Sequence, residues 1–385
     1  LHTHHAMHFL LAFFGLSRSL PFTIQGIQEN IMQPIVTAGF SFDVHVHTWK
    51  FSGLYSNNRS EESSKILLNF DDTYLLQTAA RTVRRKLYTS PAQLAAPVND
   101  YVYIQDQDAF DLSLSQSFGQ YLQHGNGWAK SDSTNATLLN HVRALFSLKY
   151  LHDHIISTIQ SSNVKYDAVV FLRPDVMYMN ELPAELVYAP DFASTLYLPD
   201  FHRSCCTSDH LSMEYNDRFA FGGLKAALAY SNRYDYAMDY ARKHVLHAER
   251  FLYWHLVMNM HVPVKEISFR FRRIRANSLV SKRDQLLLSP SEQLLSAPSG
   301  EKPTVSFWNL IFSKRTSDTG NVFCHPHPFI PINEMAPWQA GQHAKDRYAH
   351  MVKISHTLLP EMETPEWLPL LTKKEKNQGK RPKVS

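Results

Sequence analysis

Hydrophobic and polar residues follow two different periods in the first fifty residues of this chain. The apolar run 7–14, which ends at Gly15, is typical of a buried strand. Four isoleucines between residues 24 and 35 then recur at steps of three and four, the period of an amphipathic helix. Residues 42–47 alternate between apolar and polar and predict a second strand. The order strand, helix, strand predicts a βαβ unit with parallel strands and a right-handed crossover.

The same kinds of element continue in the second half of the chain. A helical pattern over 141–161 leads directly into the apolar run 167–172, which predicts another buried strand. The further elements, in order, are a strand at 195–200, helices at 225–243 and 249–260, and a strand with a basic turn over 263–277. The fold class predicted is therefore α/β, with a mostly parallel sheet flanked by helices.

Three segments interrupt this pattern and set the expected domain limits. The main domain is expected over 7–285, and 52–140 reads as a loop-rich insertion because polar clusters replace the periodic residues. Residues 286–372 predict an irregular C-terminal extension of unknown role. The final segment, 373–385, is rich in lysine and reads as a basic disordered tail.

Composition narrows the class of protein. The chain has 385 residues, of which 44% are hydrophobic and 19% charged, as expected for a globular protein with a sizeable core. The net charge of +4 is mild and much of it lies in the C-terminal tail, which argues against a nucleic-acid partner. No run approaches the roughly 18 apolar residues of a membrane span. The three cysteines show neither a disulfide framework nor zinc-ligand spacing.

Neither location nor oligomeric state has a signature in the sequence. The composition is compatible with the cytoplasm, and with the Golgi or ER lumen if an anchor precedes the first residue.

Polar residues at the ends of the predicted strands are the candidates for chemistry. In an open parallel sheet these ends meet at one edge, where ligands bind. Arginines there can clamp diphosphate oxygens, and a carboxylate can hold a divalent cation. The alternative for Arg173 and Asp175 is a structural ion pair. The candidates at the three strand ends are Gly15, Ser17, Arg18, His47, Arg173 and Asp175.

Six blocks in a fixed order carry a family resemblance. They are GLSRSL, FDVHVHTW, YDAVVFLRPDV, NDRFAFGG, HAERFLYWHL and RFRRIRAN, and they lie between residues 7 and 280. In this order they resemble glycosyltransferase-like proteins of the GT-A nucleotide-diphospho-sugar transferase type, found in large DNA viruses, algae and other microbial eukaryotes. The resemblance implies a Rossmann-like nucleotide-binding domain, a nucleotide-diphospho-sugar donor, and transfer of the sugar to a hydroxyl acceptor, expected to be a glycan.

The resemblance places the RPD turn where GT-A enzymes usually carry an Asp-x-Asp metal motif. Arg173 replaces the first acid, so Asp175 alone remains as a ligand for Mn²⁺ or Mg²⁺. The guanidinium of Arg173 would then take over part of the cation's role of neutralising the leaving diphosphate. Arg273 and Arg275 belong to a basic cluster that reaches phosphate or, alternatively, forms a solvated turn.

Two carboxylates are candidates for the base that accepts the acceptor's proton. Asp217 lies in NDRFAFGG, and Glu249 opens the helix of ERFLYWHL. The structural alternatives are a turn or N-cap for Asp217 and helix N-terminal charge complementarity for Glu249. From the sequence, replacement of Asp175 by alanine is expected to abolish transfer while leaving thermal unfolding normal.

Two other functional classes stay open. The missing first acid is compatible with a degenerate, non-catalytic protein that binds a nucleotide or a glycan. The strand ending in His45 and His47 also fits a metal-dependent amidohydrolase, whose paired imidazoles bind one metal. The chain lacks the regular eightfold strand–helix alternation expected of such a barrel.

Overall fold

The computed structural model describes residues 7–57, 62–123, 136–162, 164–201, 214–281 and 284, all of which fall in one compact unit. The strands are β1 (His8–Phe14), β2 (Ser41–Lys50), β3 (Tyr55–Asn57), β4 (Glu62–Ile66), β5 (Tyr101–Asp106), β6 (Ala168–Leu172), β7 (Val176–Tyr178), β8 (Leu196–Pro199), β9 (Ala220–Gly222), β10 (Val264–Ile267) and β11 (Phe271–Arg273). The α-helices are α1 (Leu20–Ile27), α2 (Gln33–Thr37), α3 (Leu75–Leu87), α4 (Pro91–Ala95), α5 (Gln107–Gln123), α6 (Ala136–Ser162), α7 (Leu224–Ser231), α8 (Tyr234–Ala241) and α9 (Ala248–Tyr253). In this part of the chain, no helix combines the length and the apolar character needed to cross a membrane.

Seven strands form one sheet in the order β10-β8-β9-β6-β1-β2-β5. Strands β5, β2, β1 and β6 pair in parallel, and β8 pairs in parallel with β10. Only β9 runs the other way, antiparallel to both β6 and β8. The predicted α/β class with a mostly parallel sheet flanked by helices is confirmed. Two small antiparallel pairs, β3–β4 and β7–β11, stand outside this sheet.

Both faces of the sheet are covered, as expected for parallel strands. In β1 the odd-numbered side chains from 9 to 13 share a core with residues of α1, α2 and α3. The even-numbered side chains from 10 to 14 pack instead with residues of α6, α7 and α9. This is why the first apolar run has no polar positions: each of its side chains has a buried neighbour.

The polar positions of β2 are buried as well. Asp43, His45 and His47 show no exposed surface, because their face of the strand lies under other elements. His47 hydrogen-bonds through Nδ1 to the Ser147 hydroxyl of α6 at 2.9 Å and through Nε2 to the Gln105 amide oxygen at 2.9 Å. The alternation that predicted β2 therefore separates an apolar layer from a buried polar layer.

Buried histidines, in β2 and elsewhere, should make the protein sensitive to mild acid. Burial lowers the pKa of three of them to about 4: His45, His47 and His255. A pKa below the unfolded value of about 6.5 gives stability that is complete above that value and lost as pH falls toward 4, up to about 3 kcal/mol for each histidine. The urea midpoint, measured at intervals from pH 7.5 to 4.5, should therefore drop.

A matched variant isolates one histidine. His47→Gln keeps a hydrogen-bonding side chain that does not titrate. The slope of unfolding free energy against pH should therefore decrease by up to about 1.4 kcal/mol per pH unit, which corresponds to one proton. A midpoint that stays constant between pH 7 and 5 in the unmodified protein would contradict the prediction.

The expected loop-rich character of 52–140 is wrong for the described parts of that segment. It supplies β5, which pairs with β2 at the edge of the main sheet. It also supplies α3, whose residues Leu76, Ala80 and Val83 belong to the core beneath β1 and β2. The segment is thus an integral part of the domain. The predicted extension 286–372 and tail 373–385 lie outside the described residues.

Two predicted helices also differ in detail. The helix expected over 225–243 is divided into α7 and α8, with the break at Asn232 and Arg233. The helix expected over 249–260 changes from α to π geometry at Trp254.

Gly222, the last residue of β9, and Gly223, which follows it, are closely approached by another segment of backbone. A Cβ atom on Gly222 would lie 2.6 Å from the carbonyl oxygen of Thr195, and one on Gly223 would lie 2.6 Å from Cα of Ala193. The approaching backbone is therefore the segment before β8.

Candidate functional site

The direction of chain travel reverses at β1. The chain proceeds from β1 to β2 and β5 on one side, then crosses to β6 on the other side of β1. In open α/β sheets the ligand crevice lies beyond the carboxyl ends of the strands at such a switch point. Ser17 and Arg18 follow β1, and Arg173 and Asp175 follow β6, so the two loops flank this position.

Because β9 is antiparallel, it brings its own leading residues to the same edge. Ala220 pairs with Phe171 near the end of β6, so Asp217 and Arg218 lie beyond that end. The sheet thus gathers strand ends and one strand start that are far apart in sequence.

Asp175 links the two loops at the switch point. Its Oδ1 accepts a hydrogen bond from Nε of Arg173 at 2.8 Å, and its Oδ2 accepts from Nη2 of Arg173 and Nη2 of Arg18, both at 2.8 Å. Arg18 also donates to Glu62 Oε2 at 3.1 Å and to the hydroxyl of Tyr55. The side chains of Asp175 and Arg18 are 1% and 8% exposed, and that of Arg173 is 23% exposed.

The ionised form of Asp175 is strongly favoured. Burial on its own would raise the pKa of this carboxyl, but the charges of Arg173 and Arg18 and their hydrogen bonds hold it well below the usual range. The ion pair between Arg173 and Asp175, the structural alternative for these residues, is present, and Arg18 joins it from the loop after β1.

The backbone of the Arg173–Asp175 turn is held from three directions. Thr23 Oγ1 donates to the carbonyl of Pro174 at 2.6 Å, and the amide of Ile274 donates to the carbonyl of Asp175 at 2.9 Å. The amide of Arg173 donates to the hydroxyl of Tyr178 at 3.1 Å. A ligand that binds at this turn would therefore displace side-chain contacts and leave the backbone in place.

The donor set does not fit a divalent cation at Asp175. Both of its oxygens already accept from guanidinium groups, and a cation there would lie between two positive charges. Within the described residues there is no group of three His, Cys, Asp or Glu side chains arranged to hold a metal.

The loop after β1 contributes mainly through Arg18. Gly15 has a φ of 95°, which favours glycine, and its amide donates to Ser147 Oγ at 3.0 Å. The amide of Ser17 donates to Thr48 Oγ1 at 3.2 Å, and its hydroxyl hydrogen-bonds to Thr73 at 2.8 Å. These contacts tie the loop to neighbouring elements and aim Arg18 at Asp175.

The candidate His47, at the end of the second strand predicted from the sequence, is fully buried. It lies in the buried polar layer under α6, with both ring nitrogens hydrogen-bonded. His45 bonds through Nε2 to the carbonyl of Asn99 at 2.8 Å. The sheet is open, and both ring nitrogens of His47 and Nε2 of His45 are hydrogen-bonded. With no group of three metal-ligating side chains in the described residues, the geometry gives no support to an amidohydrolase centre.

The two arginines of the later basic cluster differ in their partners. Arg273 donates from Nε and Nη2 to the two oxygens of Asp284 at 2.9 and 2.7 Å. Arg275 donates from Nη2 to the hydroxyl of Ser281 at 3.0 Å, and within the described residues it makes no ion pair. Burial, followed by repulsion from Arg18 and Arg273, lowers the pKa of Arg275 to about 10.

A second group of charges surrounds Arg218. Its Nη2 donates to Glu249 Oε1 at 3.1 Å, and its Nη1 lies 3.8 Å from Asp217 Oδ1. Glu249 Oε2 lies 3.4 Å from Nδ1 of His247. Arg250 in turn donates to Glu214 at 2.7 Å. This network joins Asp217 and Glu249, the two candidate bases, through an arginine that sequence reasoning missed.

A carboxylate oxygen of Asp217, Oδ1, is buried without a hydrogen-bond partner among the described residues. Burial would raise the pKa of Asp217, but the positive charges of Arg218, Arg233 and Arg173 outweigh it and keep the carboxyl ionised. A buried, ionised oxygen without a donor is a place where a ligand hydroxyl can bind.

Comparison with known proteins adds no relatives. No family model matches the sequence, and no curated protein shows significant similarity to it. Function is therefore inferred from the geometry of the site and from the order of the sequence blocks.

Proposed function

We propose that this protein is a glycosyltransferase that moves a sugar from a nucleotide-diphospho-sugar to a hydroxyl acceptor, with a glycan as the acceptor class. One observation carries the proposal: the loops after β1 and β6 meet at the topological switch point through Arg18, Asp175 and Arg173. That is the position at which open α/β sheets bind nucleotides. The mixed sheet is also compatible with the GT-A type that the sequence blocks resemble.

The donor diphosphate would lie against the guanidinium groups at this edge. Arginine presents several N–H donors in a planar fork that matches phosphate oxygens. Arg173 is the most exposed member of the Asp175 network, so it is the first that a ligand would meet. No metal ion is assigned a role, because Asp175 already has its oxygens occupied.

Asp217 would act as the base in an inverting transfer. The acceptor oxygen attacks the anomeric carbon, the bond from that carbon to the diphosphate oxygen breaks, and the hydroxyl proton passes to Asp217 Oδ1. This oxygen is buried and has no hydrogen-bond partner among the described residues. Asp217 precedes β9, whose Ala220 pairs with Phe171 near the end of β6, so the base and the proposed diphosphate site lie at the same edge of the sheet.

Glu249 is better suited to position Arg218 than to accept a proton. Its oxygens face two basic side chains, Arg218 at 3.1 Å and His247 at 3.4 Å. It also occupies the first turn of α9, where a negative charge complements the helix.

A non-catalytic nucleotide- or glycan-binding protein is the second candidate. The observation that favours it is the nearly complete burial of Asp175 by the two arginines.

A thermal-shift screen with product analysis tests both candidates. The protein would be heated with UDP, GDP, CDP and their sugars, with Mn²⁺ or with EDTA, and release of free nucleotide would be measured for each donor that stabilises the fold. Stabilisation with release and sugar transfer to an acceptor supports the transferase, and stabilisation without turnover supports the second candidate. Absence of any stabilisation or turnover across the panel would reject both.

A further inference from the structure

Arg275 lies beside the Arg18–Asp175 network, because the amides of its two chain neighbours donate into it. Ile274 donates to the carbonyl of Asp175 at 2.9 Å, and Ala276 donates to Glu62 Oε1 at 2.6 Å. Burial and the charges of Arg18 and Arg273 disfavour the positive charge of Arg275, and Asp175 and Glu62 favour it more weakly. Each of those two arginines has a carboxylate partner: Asp175 for Arg18, shared with Arg173, and Asp284 for Arg273. In the described part of the chain, Arg275 has no ion pair of this kind.

Its hydrogen bonds are also incomplete. Nη2 donates to the Ser281 hydroxyl at 3.0 Å, and Nε is buried with no partner among the described residues. Arg18 has the same feature, since its Nε is buried without a hydrogen bond. Burying such donors is unfavourable unless a ligand satisfies them, and an anion does so best.

We propose that Arg275, with Arg18 and Arg173, forms a diphosphate site that works in place of a divalent cation. This inference rests on the proposed function, because the diphosphate is that of the proposed donor. A diphosphate group has several anionic oxygens and can accept from more than one guanidinium at once. The site is anchored by Glu62 and Asp175, which hold Arg18 from two sides.

The arrangement explains why a cation is unnecessary. In a metal-dependent site, the metal neutralises charge on the leaving diphosphate. Here the bond between the anomeric carbon and the diphosphate oxygen breaks, and its electron pair stays on that oxygen. The fixed guanidinium groups stabilise the negative charge that develops there. The proton of the acceptor passes to Asp217, so the product is a nucleoside diphosphate with no redox change.

Inorganic pyrophosphate is the probe for this site. Isothermal titration calorimetry of the full chain at low salt should detect pyrophosphate binding in a Mg²⁺-free buffer that contains EDTA. Adding more chelator should leave the affinity unchanged. Arg275→Gln should weaken pyrophosphate binding by about 10- to 100-fold, as expected for loss of charged hydrogen bonds. Arg242→Gln is the matched control, since it removes the same charge from an exposed pair with Asp239 and should leave the affinity within about twofold of the parent.

A conservative variant separates folding from binding. Arg275→Lys keeps the charge but loses the planar fork, so it should bind at an affinity between those of the parent and Arg275→Gln. Circular dichroism would establish that each variant is folded before titration. If Arg275→Gln does not fold, Arg275→Lys alone decides: an unchanged affinity would overturn the proposal, and a weakened one would support it.

The outcomes also distinguish this inference from the proposed function. Pyrophosphate binding in EDTA that is lost in Arg275→Gln supports the anion site even if no donor is turned over. Sugar transfer that requires Mn²⁺ and is unaffected by Arg275→Gln would support the transferase but overturn the anion site. Pyrophosphate binding that appears only with a divalent cation would also overturn it.

Discussion

Replacing Asp175 with alanine should lower the free energy of unfolding by about 3–5 kcal/mol. The change removes the carboxylate shared by Arg18 and Arg173 and leaves their guanidinium groups buried beside each other. Urea unfolding at pH 7, followed by circular dichroism, measures the loss directly.

An exposed ion pair provides the control. Asp239→Ala removes the partner of Arg242 where both side chains are well exposed, so the free energy of unfolding should change by less than about 1 kcal/mol. An Asp175→Ala variant that unfolds like the parent protein would contradict the description of Asp175 and its two arginines as a buried ion-pair network. The sequence alone predicted the opposite result: with Asp175 expected at an open crevice, its replacement by alanine was expected to leave unfolding normal.

Replacing Asp217 with asparagine should reduce kcat by about 10²- to 10⁴-fold, the usual contribution of a general base. Pyrophosphate binding should change little, because the proposed diphosphate site is formed by Arg18, Arg173 and Arg275 and does not include Asp217. Steady-state kinetics with a donor found in the thermal-shift screen would measure kcat and KM separately.

The pH dependence gives a second readout for the same residue. Because neighbouring positive charges hold the pKa of Asp217 below its usual range, Asp217 should add no fall in rate between pH 8 and 5. Glu249→Gln is the companion variant and should reduce kcat less than Asp217→Asn does. A normal kcat in Asp217→Asn combined with inactive Glu249→Gln would assign the base to Glu249.

The parts of the fold that sequence patterns predicted are those with a single clear period. Strands β1 and β6 are buried on both faces, so an uninterrupted apolar run was sufficient to locate them. Strand β5 was missed because it is an edge strand with mixed exposure, inside a segment rich in polar residues. The alternation in β2 located the strand correctly, but it could not show that α6 would cover the polar face.

The candidate site was predictable where it depends on strand ends and not where it depends on distant partners. The meeting of Arg18 with Asp175 follows from the parallel pairing of β1 and β6. Glu62, which holds Arg18 from the β3–β4 hairpin, gave no local signal because its partner lies 44 residues earlier. Arg218 is adjacent to Asp217, yet only the antiparallel direction of β9 brings it to Glu249.

The three-sided anchoring of the turn at Pro174 has a practical consequence. Backbone atoms fixed by Thr23, Ile274 and Tyr178 need not shift when a small anion replaces one side-chain contact with another. Crystals grown without ligand should therefore survive soaking, and the free and soaked coordinates should superpose over these main-chain atoms while the arginine rotamers differ.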